Sequence, residues 1–165
     1  MKDSDLLISR RDGVYSVKVS GRANFEYAIP LRELAKTLES GFKCVRIDLS
    51  ACTAMDSTFM GVLSMLGLKA RKSGAAVELL NAGETLRKLL RDLGVFSLFT
   101  FRDAADDAAD AAWSAPERNS SMLTAAETVT EAHETLVEAD LANAERFNGV
   151  IEFARQDVER LKGGK

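Results

Sequence analysis

Apolar and polar positions alternate with a period of two over residues 14–20. There Tyr15, Val17 and Val19 face one way and Ser16, Lys18 and Ser20 the other, as in a half-buried strand. Residues 6–9 form a matching strand, and Arg11-Asp12-Gly13 between them is a hairpin turn, because Asp-Gly tolerates the positive φ of a tight turn. The period then changes. Leu31, Leu34, Ala35 and Leu38 recur at i, i+3, i+4 and i+7, which predicts a helix over 30–40, opened by Pro30 and ended by Gly41. A strand follows over 44–49, with Val45, Ile47 and Leu49 inward, and then a strongly apolar helix over 57–73 closed by Gly74. The pattern continues with a strand at 75–80, a helix at 84–93 carrying Leu86, Leu89, Leu90 and Leu93, and a short aromatic strand at 95–101. An acidic, alanine-rich helix is expected over 103–113. Strands alternating with helices in this order predict an α/β fold with a mixed, mostly parallel sheet and right-handed crossovers.

Residues 114–121 (SAPERNSS) lack any period and read as a linker. Two helices are expected beyond it. The first, over 124–140, is opened by a capping box of Thr124 and Glu127 and has a thin apolar face of Val129, Ala132, Leu136 and Val137. The second, over 144–161, carries a fuller stripe of Phe147, Val150, Ile151, Ala154, Val158 and Leu161. That stripe needs a cover: the sheet domain, the preceding helix, or a second chain in a homodimer. The expected division is therefore 1–114 for the sheet domain, 115–121 for a linker and 122–165 for a C-terminal helical extension.

Composition narrows the function. An apolar share of 46% and a charged share of 28% over 165 residues suit one globular domain with a short appendage. The net charge of −3 gives no reason to expect nucleic acid or an acidic membrane surface as partner. The longest apolar run, 59–68, is far shorter than the ~20 residues that cross a bilayer, so no membrane insertion is expected. The N-terminal stretch does not read as a secretory signal. Cys44 and Cys52, with no CxxC pair and a single histidine far away, read as free thiols in a reducing cytoplasm and not as a metal site. No nucleophile elbow, phosphate-binding loop or clustered acids appear, so the expectation is a protein that is not an enzyme and needs no cofactor. His133 and Trp113 are read as a surface residue and as packing beneath the linker.

The most informative segment is DLSACTAMDSTFMG, residues 48–61, where a strand ends, turns through small residues and reopens as a helix at Ser57. Ser57 falls where a helix N-cap belongs, with its hydroxyl near unpaired backbone N–H groups. A structural cap and a switch are both open at that position.

This segment, the element order around it and the run LLRDLGVFSLFTFRDAADDA at 89–108 resemble the STAS domain family, specifically its bacterial anti-sigma factor antagonists. The resemblance spans about residues 6–113. In that family the loop reads roughly D-(S/T)-(S/T)-x-x-G, matched here by Asp56-Ser57-Thr58-Phe59-Met60-Gly61. The resemblance implies the STAS fold and makes Ser57 the phosphoacceptor, with Thr58 the less favoured neighbour. It also implies a docking surface of Asn24, Met55, Asp56, Ser57, Thr58, Met60 and Gly61. The partners it implies are an anti-sigma factor acting as a serine kinase and a PP2C-type phosphatase, in a phosphorylation-controlled partner switch that regulates transcription in the cytoplasm. The alternative is a non-phosphorylated STAS scaffold or subunit of a stressosome-like or ABC-transporter complex. Two positions depart from the family pattern: Phe59 stands where many members have glycine, and Asn24 where many have aspartate.

Overall fold

The computed structural model describes residues 5–104, 112–116 and 121–163. Strands β1 (Asp5–Arg11) and β2 (Val14–Ala23) form an antiparallel hairpin through Asp12 and Gly13, both at positive φ. Helix α1 (Phe25–Thr37) leads to β3 (Cys44–Met55), and α2 (Ser57–Lys72) to β4 (Ala76–Leu80). Helix α3 (Glu84–Asp92) and a single 3₁₀ turn at Phe96–Leu98 precede β5 (Thr100–Arg102). The sheet order is β1-β2-β3-β4-β5, antiparallel only in its first pair. The mixed, mostly parallel sheet expected from the pattern is therefore present. Val17, Val19, Val45, Ile47, Leu49, Val77 and Leu79 pack from the sheet against Leu31, Phe59, Val62, Leu63 and Leu66 in one continuous core.

Several boundaries differ from the sequence reading, each for a local reason. Helix α1 begins five residues earlier than expected. Asn24 caps it, its Oδ1 accepting from the Glu26 N–H at 3.0 Å, and Pro30 lies inside the helix instead of opening it. Strand β3 runs on to Met55 because β2 pairs with it as far as Ala23↔Met55, through two register shifts. Small residues that look like a turn in isolation are held extended by that neighbour, so Cys52 is on a strand and not in a loop. The residues expected to make a strand over 95–101 split between the 3₁₀ turn and the shorter β5. The acidic helix expected over 103–113 lies mostly outside the described residues, and at its ends Asp103, Ala104, Ala112 and Trp113 are not helical.

The C-terminal extension forms two helices, α4 (Met122–Ala139) and α5 (Asn143–Gly163). Ser121 caps α4, its Oγ accepting from the Thr124 N–H at 3.0 Å; the Thr124–Glu127 box is not the cap. The pair folds back on the sheet domain as a hairpin. Helix α4 lies across α1 and α2, and α5 packs on α4. Phe147, Ile151 and Ala154 are buried within the same chain, while Phe153 remains 75% exposed.

Candidate functional site at the start of α2

Two helix N-termini lie side by side at the carboxyl end of the parallel strands, the edge where α/β sheets present their ligand sites. The β2–β3 pairing creates this arrangement. Ala23 is opposite Met55, and the Asp56 N–H donates to the Ala23 carbonyl at 3.0 Å, which brings the Asn24 and Asp56 caps next to each other. Asp56, not Ser57, caps α2: its Oδ1 accepts from the Phe59 N–H at 2.8 Å. Ser57 is thus the first helical residue, and its hydroxyl is free of capping duty.

That hydroxyl has a partner from 76 residues away. Ser57 Oγ and His133 Nε2 are 2.8 Å apart, and His133 Nδ1 lies 2.7 Å from the Val129 carbonyl. A carbonyl can only accept, so Nδ1 carries the proton and Nε2 receives the Ser57 hydroxyl hydrogen. His133 is 2% exposed, not the surface residue expected. Burial holds its pKa below 6.5, against the opposing pull of the Val129 carbonyl and the Asp56 charge. Its ring meets Phe147 of α5 edge-on at 4.9 Å between centroids.

The rest of the α2 face is covered too. A Cβ added at Gly61 would lie 2.7 Å from the carbonyl carbon and Cβ of Ala132, so only glycine permits this approach of α4. Thr58 and Met60 are buried, and Met55 and Phe59 belong to the core. Phe59, the departure from the family glycine, is thereby a fully buried core side chain. Arg32 of α1 is buried and pairs with Glu131 of α4. At the far end of the hairpin, Asn143 Nδ2 donates to the carbonyls of Leu93 and Leu136, each at 2.8 Å. Ser57 stays half-buried because it opens into a cleft of about 340 Å³ shared with Met60, Asp92, Arg146 and Phe147.

The Ser57–His133 pair has the hydrogen bonding of an activated nucleophile. Acyl transfer also needs backbone donors aimed at a developing oxyanion. Here the Asp56 carboxylate occupies the Phe59 N–H and puts a negative charge in their place. Elsewhere, burial raises the pKa of Cys44 and of Cys52, which keeps both free thiols protonated and unreactive. Among the described residues no group of three His, Cys, Asp or Glu is placed to hold a metal ion. No helix there is long and apolar enough to cross a membrane.

The structure brings Asn24, Asp56 and Ser57 together, and it adds His133, Ala132 and Arg32, which the sequence reading did not include in the site. The signal for His133 existed. It stands four residues after Val129 and three before Leu136, on the same face of α4 that carries the apolar stripe.

The STAS domain model matches residues 6–108. The chain belongs to the STAS domain family. Solved structures share its fold. The Bacillus cell fate determinant SpoIIAA in its phosphorylated form is 16% identical, with a TM-score of 0.53 over 64% of this chain and 96% of that one. An anti-sigma factor antagonist from Mycobacterium paratuberculosis is 24% identical, with a TM-score of 0.52 over 65% and 92%. A sulfate transporter family protein from Wolinella succinogenes is 20% identical, with a TM-score of 0.52 over 61% and 84%. A search of curated proteins finds no match.

Proposed function

We propose that this protein is an anti-sigma factor antagonist working by a partner switch. Unphosphorylated, it binds an anti-sigma factor that is also a serine kinase. Phosphorylated on Ser57, it releases that partner, and a PP2C-type phosphatase resets it. Thr58 is a poor acceptor because it is buried. The observation that carries the reading is the position of Ser57 as the first residue of α2, with its hydroxyl spared from capping by Asp56. A phosphate there brings about −1.5 to −2 charges to the positive end of a helix, where the dipole favours negative charge. A partner docked over Asn24, Asp56 and Ser57 would have to desolvate that dianion beside a carboxylate, so a local charge becomes a binding event.

The test is phosphopeptide mass spectrometry on protein from the native cell, joined to titration of the co-purified kinase. Ser57→Asp should retain the fold and weaken binding tenfold or more, about 1.4 kcal/mol. Equal affinity of the two forms would remove the switch. A second reading has its own observation. Ser57 is already satisfied by His133, which suits a STAS scaffold or transporter-complex subunit whose serine is purely structural. Under that reading Ser57 is never modified.

A further inference from the structure

We propose that the α4–α5 hairpin is an intramolecular competitor for the docking face of α2, so that kinase and partner reach Ser57 only when α4 lifts. This rests on the reading of Ser57 as the switch and extends it to who controls access. Four contacts carry it, all between the extension and the sheet domain. His133 holds the Ser57 hydroxyl. Ala132 lies on Gly61 at a distance only glycine allows. Glu131 pairs with the buried Arg32. Asn143 ties the bend of the hairpin to the Leu93 carbonyl at the end of α3.

A kinase must surround the acceptor hydroxyl with its own groups, and here one side of that hydroxyl is occupied by the imidazole and by Phe147 behind it. A partner reaching for Thr58, Met60 and Gly61 meets α4 first, since Ala132 already fills the notch over Gly61. Two bodies cannot occupy that notch at once, so hairpin and partner exclude each other. The contacts also describe the competitor. It presents a helix with a small residue over Gly61 and a carboxylate that replaces Glu131 at Arg32, because a partner covering Arg32 in place of α4 would otherwise bury a guanidinium without its counter-charge. An acidic helix on the anti-sigma kinase fits this chemistry.

The experiment uses the full-length chain with two opening substitutions on α4. Ala132→Leu crowds the Gly61 backbone, and Glu131→Arg sets like charges against Arg32. The double variant Arg32→Glu/Glu131→Arg should close the hairpin again. Access is read in a Ser57→Cys background by alkylation with iodoacetamide and with a polyethylene-glycol maleimide of several kilodaltons, measured by mass spectrometry at that position. The ratio of large-reagent to small-reagent rates cancels changes in thiol reactivity. It should rise at least about tenfold in each opened chain and fall back in the charge-swapped one; an unchanged ratio overturns the competitor model. In parallel, chains retaining Ser57 are incubated with ATP and each purified anti-sigma serine kinase of the source genome. Faster Ser57 phosphorylation in the opened chains supports the model, and equal rates overturn it. Absence of Ser57 phosphorylation in every chain, with the alkylation ratio still shifted, removes the phospho-switch while the hairpin remains a cover over this face.

Discussion

Replacing Gly61 by alanine adds one methyl group and separates two opposing effects. Within an isolated helix the change is favourable by about 1 kcal/mol, because alanine is the better helix former. In this fold the new Cβ would meet the Ala132 carbonyl carbon and Cβ at 2.7 Å, and also press on its carbonyl oxygen. Those carbonyl atoms are backbone, with no side-chain rotation to relieve the overlap. Overpacking of this kind costs about 1–3 kcal/mol, enough to cancel or exceed the propensity gain. The cheapest relief is for α4 to move as a unit, since it packs on α1 and α2 and is not one of the paired strands of the sheet. Gly61→Ala should therefore leave the β2–β4 core protected while amide hydrogen exchange across residues 128–136 accelerates about tenfold or more, about 1.4 kcal/mol of local stability. The His133 ring resonances should lose the signature of the Ser57 hydrogen bond in the same sample. Unchanged α4 protection together with a raised melting temperature would refute the reasoning, because it would mean that α2 gained a helix former and met no obstacle.

Three further outcomes are expected. His133 is buried neutral, so its folded pKa lies below its unfolded value of 6.5. The unfolded state then binds more protons, and docking stability is complete above that value and falls as pH drops through it. Urea midpoints should decline between about pH 7.5 and about pH 5.5, and His133→Gln should flatten the decline; an unchanged slope in that variant would assign the effect to other groups. Leu136→Ala truncates a fully buried side chain of α4 and should cost about 2–5 kcal/mol by denaturant titration, whereas a loss under about 1 kcal/mol would mean the hairpin is barely docked. Asn24→Ala removes the cap on α1 and should cost about 1 kcal/mol in the same titration, with Asn24→Asp restoring most of it.

Much of the sheet domain is legible in the chain because its signals are local. The two-residue alternation of β2 and the first half of β3, the Asp-Gly turn and the leucine stripe of α3 each follow from neighbours within a few residues. Where a signal misled, a distant partner or a better local competitor prevailed. Pro30 suits a first turn, yet the Asn24 cap had already opened the helix. The run from Ala51 to Ala54 looks like a loop but is held extended by its pairing with β2.

By itself, then, the sequence determined the alternating fold, the core stripes and a serine at the mouth of α2. It also determined that the extension is two amphipathic helices. Only the tertiary structure decided what those helices cover. The face of α4 pairs a thin apolar stripe with a histidine, and nothing in its periodicity names the complementary surface. That surface is assembled from Arg32 on one helix and Ser57 and Gly61 on another. Recognition across 76 residues depends on shape, on a missing Cβ and on one hydrogen bond, and none of these has a period along the chain.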